Sequence, residues 1–255
     1  MSTLTFAVVD TIVIMRRNLL RFARLPQLLI FSTVQPAILL LLFNYVFGGA
    51  ITAGNYQYIQ FLLPGFLVQT VVFGSTQASV GMAEDLSKGI IDRFRSLPMA
   101  RLAILSGRVT ADTVRYGVLI LLMIGVGSAI GFRFQNDFLS IFGAVLLCIL
   151  FGFSLSWIAV YIGISVKSVE TASVAGFIWV FPLVFASSLY VPIETMPTWL
   201  RIFTEVNPVT VTVNTVRALC LGSPLDASWW QSLVWICGLM LVFLPLAVIR
   251  YRNLK

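Results

Sequence analysis

DFLSIFGAVLLCILFGFSLSWIAVYIGISV, residues 137–166, carries one acid at its first position and no charged side chain after it. A helix of roughly 20 apolar residues crosses the hydrocarbon of a bilayer, because its backbone polar groups pair with one another where no water can serve them. Working outward, five more stretches read the same way: Gln27–Gly49, Tyr58–Ala83, Gly107–Gly131, Thr171–Val191 and Trp229–Ile249. The fold class expected is therefore all-α, a membrane protein of six transmembrane helices. Across the 255 residues 59% are hydrophobic and only 11% charged, against roughly 25% charged in an ordinary soluble domain. The domain division expected is an interfacial helix over 1–26 and one membrane domain over 27–255, with no separate soluble domain.

Lysine and arginine are distributed unequally between the ends of these stretches. Thirteen fall on one side: Arg16, Arg17, Arg21 and Arg24, then Lys88, Arg93, Arg95, Arg101 and Arg108, then Lys167, and finally Arg250, Arg252 and Lys255. Only Arg133, Arg201 and Arg217 fall on the other. The positive-inside rule then places both termini in the cytoplasm of a multi-pass plasma-membrane protein, and an even number of spans follows. Tyr45, Tyr56, Tyr58, Tyr190, Trp199, Trp229 and Trp230 gather at the expected outer interface, as aromatic belts do. The net charge of +7 is explained by this topology, and nucleic acid is not an expected partner. Membrane lipid is.

Residues 5–24 have a helical period, with Val8, Ile12, Met15, Leu19 and Phe22 on one face and Asp10, Arg17, Arg21 and Arg24 opposite. Such a helix lies in the membrane interface with its arginines near the headgroups. Its apolar part precedes its arginines, the reverse of a signal peptide, so the segment is expected to be retained. At the other end of the chain, residues 192–228 are too apolar for a plain outer loop and are expected to dip back as a helical hairpin. PVTVTVNTV, residues 208–216, alternates like a strand, yet Val209, Val213, Val216 and Cys220 also form a helical stripe ending at Gly222. An isolated strand would leave its edges unpaired at membrane depth, which favours the helix.

The residues that could carry chemistry are few. There is no histidine, the commonest general base and metal ligand. GFSLS at 152–156 is one residue off a nucleophile elbow and has no histidine to serve it. No phosphate-binding G-x-x-x-x-G-K-[ST] loop occurs. No catalytic residue, metal or cofactor is thus expected in this chain, and energy from ATP would have to come from a partner. Cys148, Cys220 and Cys237 show no ligand spacing and read as packing residues. Past Arg108, at the edge of the third stretch, the ionisable groups within the spans are Asp112 and Arg115, expected to form an intramembrane ion pair. A proton-driven transporter or a lipid-modifying enzyme stays as the alternative from another class, resting on Asp112 alone.

The segment EDLSKGIIDRFRSLPMAR, residues 84–101, followed by ILSGRVTADTVR, resembles the cytoplasmic loop of type-2 ABC exporter permeases, the daunorubicin-resistance permease group. SLYVPIETMPTWLRIFTEVNPVTVTVNTVRAL, residues 188–219, is similar to that family's outer re-entrant segment, with Asn207, Pro208 and Arg217 as its motif and Val211 as a departure from it. The resemblance implies a homodimer paired with two copies of an ABC ATPase, which binds Mg-ATP, and export of a hydrophobic or amphiphilic substrate, drug-like or lipid-like. A lipid-linked glycan is the alternative within the family. It implies a coupling loop over 84–106 that forms a short cytoplasmic coupling helix, docked on the ATPase through Glu84, Asp85, Lys88, Gly89, Asp92, Arg93 and Arg95. It also implies a substrate path along the first, second and fifth spans, for which the residues are Gln35, Asn44, Gln69, Phe73, Gln77, Phe177 and Phe185. That path is expected to be aromatic with a few neutral amides and no charge, so that a free anion finds no partner in it.

Overall fold

A computed structural model of the chain describes residues 3–24, 26–49, 57–95 and 101–254. Among them every regular element is helical. In chain order these are α1 (Thr3–Arg24), α2 (Pro26–Leu42), α3 (Tyr58–Ser87), α4 (Ile90–Arg95), α5 (Arg101–Ile130), α6 (Phe138–Gly163), α7 (Val169–Phe185), α8 (Thr198–Val206), α9 (Pro208–Leu221) and α10 (Ser228–Arg252). Four of them, α3, α5, α6 and α10, are long and apolar enough to cross a membrane. A five-residue π-helical turn, Phe43–Phe47, continues α2.

Helix α3 is the hub. Its apolar window is 94% buried inside the chain, whereas that of α10 is 17% buried and turns its side chains outward. Helices α5, α6, α7 and α9 all pack on α3. Small residues allow the approach, as membrane helices require: a Cβ on Gly163 of α6 would stand 2.5 Å from the Ser79 carbonyl oxygen of α3. Polar side chains of α3 turn inward onto their own backbone, with the Thr70 hydroxyl donating to the Phe66 carbonyl (2.7 Å) and the Ser75 hydroxyl to that of Val72 (2.7 Å). The central helix thus buries neutral hydroxyls with their hydrogen bonds made.

Several expectations change. The arginines of α1 are not all free for headgroups, since Arg17 and Arg21 are held by Asp85 and Glu84 of α3, and the face of α1 that meets α5 lies beside the apolar stripe. Ile14 and Asn18 are buried, with Thr11 hydrogen-bonded to Ser106 of α5, while Val8 and Ile12 are exposed. A helix has room for three faces: one toward α5, the apolar stripe about a quarter-turn to one side, exposed at Val8 and Ile12 and half-buried at Met15, Leu19 and Phe22, and the arginines to the other side. Within the expected coupling segment over 84–106 the short helix is α4, Ile90–Arg95, whereas Glu84 and Asp85 belong to the last turns of α3 and α5 already begins at Arg101. The fifth stretch, read as Thr171–Val191, is helical only to Phe185. Its last carbonyls are taken by the Asn207 side chain, whose Nδ2 donates to Leu183 (2.8 Å) and to Ala186 (2.7 Å), and this outside partner ends the helix. Residues 208–216 are helix, as the edge argument required, and α9 stops at Gly222 in the left-handed region.

Candidate functional site: an aromatic face and a buried charge cluster

The spacing of Phe177, Phe181 and Phe185 places three rings on one face of α7, because residues four apart are neighbours on a helix. Phe73 of α3 meets the first two, at 6.1 and 6.0 Å between ring centroids. The series continues from Phe181 to Phe185 (5.0 Å), to Tyr190 (5.6 Å) and to Phe43 at the start of the π-helical turn (4.6 Å). Phe177, Phe181 and Phe185 are 39–54% exposed, so this chain leaves one side of the ladder uncovered. At its inner end lies a small cavity of about 80 Å³ between α2, α3, α5 and α7, lined by Gln35, Phe73, Gln77, Phe177 and Arg115 among others.

Four residues assigned to the path from sequence therefore share one cavity, and Phe185 joins through the rings. Asn44 sits half-buried on the π-helical turn. Gln69 does not face the cavity: it is buried and accepts a hydrogen bond from the Tyr190 hydroxyl (3.0 Å). Phe181, Tyr190 and Phe43 were missed, although the four-residue spacing in FIWVFPLVF was a legible signal for Phe181. The cavity shared by Gln35, Phe73, Gln77 and Phe177 is not uncharged, because Arg115 lines it as well.

Arg115 belongs to a cluster that ties α1, α3 and α5 together. Its Nη2 stands 3.1 Å from the Asp112 carboxylate and donates to the Gly74 carbonyl (2.8 Å), while its guanidinium lies over the rings of Phe22 and Tyr116. Arg108 lies between Asp112 (3.9 Å) and Asp85 (3.6 Å). Asp85 also takes a charge-assisted bond from Arg17 of α1 (2.8 Å), and Glu84 is bound by Arg21 of α1, with Lys88 at 3.8 Å. Two acids assigned from sequence to a docking loop are thus engaged within the chain. Gly89, at φ +63, makes the turn from α3 into α4 that a side-chain-bearing residue rarely adopts. Arg93 lies exposed on α4, whereas the side chains of Asp92 and Arg95 fall outside the described residues.

If Arg17 and Arg21 hold the end of α3, reversing them should release it. Arg21→Glu should lower ATPase stimulation in the assembled transporter, and adding Glu84→Arg should restore it. The pair is part-exposed, so stability should change by only about 1 kcal/mol or less. Failure of the second substitution to restore coupling would leave the contact without a functional role.

At the other end, Asn207 has two tasks. While its Nδ2 binds the end of α7, its Oδ1 accepts from the Val209 N–H (2.9 Å) and caps α9, with Pro208 at the first helical position. Arg217 of α9 donates to the carbonyls of Phe61 (3.2 Å) and Ser188 (3.1 Å) and to the Asn214 side chain (3.0 Å), with its guanidinium 3.7 Å from the centre of the Phe61 ring. It ties α3, α9 and the segment after α7. Val211 is buried against α10, beside Trp230 and Trp235.

Among the described residues the chain is all-helical, with four helices long and apolar enough to cross a membrane and an aromatic face open to one side, the build of a multi-pass membrane protein. The chain belongs to the ABC-2 type transporter family, whose model matches residues 10–221. It is 37% identical over 250 residues to a daunorubicin resistance ABC transporter permease of Streptomyces coeruleorubidus, covering 97% of this chain and 87% of that one. It is 26% identical over 248 residues to a probable doxorubicin resistance ABC transporter permease of Mycobacterium tuberculosis, covering 96% and 89%. As a family member it is a multi-pass membrane protein, a transport subunit that works with an ABC ATPase.

Proposed function

We propose that this chain is the permease subunit of an ATP-driven exporter for a drug-like or other amphiphilic molecule, which moves along the aromatic face from Phe73 to Tyr190. The observation that carries the reading is the uncovered ladder of rings, continuous with a cavity that offers the amides of Gln35 and Gln77. Aromatic walls with a few placed polar groups suit an apolar body that needs orienting. The resistance named for the relatives points to the same substrate class.

In this proposal α2 and α7 complete six spans with α3, α5, α6 and α10, both termini are cytoplasmic, and α8 with α9 forms the outer re-entrant hairpin. The excess of basic residues on one side supports that orientation. A second copy faces the open aromatic side, so that the path lies on the dimer axis. Two ATPase subunits, which carry the Mg-ATP, dock on α4 with Arg93, Asp92 and Arg95, while Glu84 and Asp85 pass the movement to α1.

The test uses inside-out membrane vesicles containing the full-length chain with an ABC ATPase partner. Daunorubicin should accumulate inside when ATP is added, and only when both subunits are present. Absence of ATP-dependent accumulation with both subunits in place would overturn the drug-export reading.

A further inference from the structure

Between α1, α3 and α5 lies a second cavity, of about 80 Å³, lined by Asn18, Arg21, Gln77, Gly81, Glu84 and Arg108 among others. Gln77 lines this cavity and the one at the foot of the aromatic ladder, so the two are neighbours across one side chain. We propose that this cavity binds the anionic headgroup, of phosphate class, of an inner-leaflet amphiphile whose apolar body passes Gln77 to the aromatic face. The second half of that statement rests on the function proposed above; the headgroup site does not.

Three observations support it. Arg108 is 7% exposed yet loosely held, with Asp85 at 3.6 Å, Asp112 at 3.9 Å and the Gln77 carbonyl at 3.4 Å, all longer than the 2.7–2.9 Å of a close charge-assisted bond. Its Nε and the Nδ2 of Asn18, itself 5% exposed, have no hydrogen-bond partner. Buried donors left so are uncommon and costly, and both belong to residues lining this one cavity. Then there is the charge balance: in the ion pairs among the described residues of this cluster, Arg17, Arg21, Arg108, Arg115 and Lys88 share Glu84, Asp85 and Asp112, an excess that an anion would complement.

The space itself depends on a missing side chain. A Cβ on Gly81 would stand 1.7 Å from Nη2 of Arg108, so only glycine lets the guanidinium lie across α3 at this level. Water is the competing occupant, since it too can satisfy Asn18 and Arg108. Water gives no preference for one lipid headgroup over another.

The experiment measures equilibrium binding of radiolabelled dioctanoyl phosphatidic acid and dioctanoylglycerol to the full-length chain in phosphatidylcholine nanodiscs, with inorganic phosphate as competitor. The expected result is about tenfold tighter binding of phosphatidic acid, from hydrogen bonds to a charged headgroup. Arg108→Gln should abolish the preference, and Asn18→Leu, which leaves every ion pair in place, should reduce it several-fold. Equal binding of the two lipids by the wild type, or a preference unchanged in both variants, would overturn the proposal. Displacement by inorganic phosphate as effective as by phosphatidic acid would also overturn it, in favour of a free-anion site. Phe181→Ala should weaken both lipids alike. If it weakens neither while Arg108→Gln still acts, the aromatic path fails and the headgroup site stands. If Phe181→Ala weakens both and Arg108→Gln leaves the preference intact, the headgroup site fails and the aromatic path stands.

Discussion

Asp112→Ala should destabilise the folded chain by about 3–5 kcal/mol, the cost of breaking a buried ion pair from one side. Asp112 is 1% exposed, and both its partners are buried arginines, Arg115 at 3.1 Å and Arg108 at 3.9 Å. Arg115 keeps its bond to the Gly74 carbonyl and its two aromatic faces after the substitution, so the ring contacts remain while the neutralising charge is lost. The guanidinium is then a buried cation with no carboxylate on its own helix. Replacing both members, Asp112→Leu with Arg115→Met, should recover most of the loss, because the desolvation cost of both charges disappears together. Thermal unfolding of the detergent-solubilised protein checks this. A single variant within about 1 kcal/mol of wild type would mean that water reaches the cluster and screens it.

Phe181→Ala should weaken substrate-stimulated ATPase activity of the assembled transporter by about tenfold or more in apparent affinity. Burying an aromatic side chain against a ligand is worth about 1.5–3 kcal/mol, and each 1.4 kcal/mol is a factor of ten. Phe181 contacts Phe73, Phe177 and Phe185, so it stands in the middle of the ladder, and its 50% exposure leaves a face free for substrate. Phe73→Ala should act in the same direction, since that ring joins the ladder to the cavity. The comparison is Phe142→Ala on the outer face of α6, 54% exposed, which should leave apparent affinity unchanged. Equal losses at Phe142 and Phe181, or none at either, would remove the aromatic face from the substrate path.

The two predictions test different ends of one arrangement. The charge cluster is where α1, α3 and α5 meet, and the ladder begins one side chain away at Gln77 and Phe73. Helix α3 runs through both, ending at Ser87 before the Gly89 turn into α4. Since Arg17 and Arg21 hold the same turn of α3, α1 should move with it.

By itself the sequence determined the class of fold and the two ends of α9. Apolar run length, the one-sided distribution of lysine and arginine, and Pro208 and Gly222 at the two ends of α9 are properties of neighbouring residues, legible without knowing what packs where. The helical reading of PVTVTVNTV needed only the argument that a strand edge stays unpaired in hydrocarbon. Part of one cavity lining was legible too, because Gln35, Phe73, Gln77 and Phe177 stand out as polar or aromatic positions within apolar runs, and they line one cavity.

Tertiary structure alone decided which of those side chains are free. Gln69 looks like Gln77 in sequence, yet Tyr190, far along the chain, takes its oxygen, and nothing near position 69 announces that. Glu84 and Asp85 read as acids open to a partner, and arginines from α1, more than sixty residues earlier, hold them. Asn207 ends α7 and starts α9 at once because the two helix termini meet around it. The face of α1 that meets α5 is neither its apolar stripe nor its basic one, because α5 meets the helix between the two while the arginines turn to α3. Periodicity reports how one helix divides its own surface, whereas the partner of each face depends on where the other helices lie, and that is a property of the packed bundle.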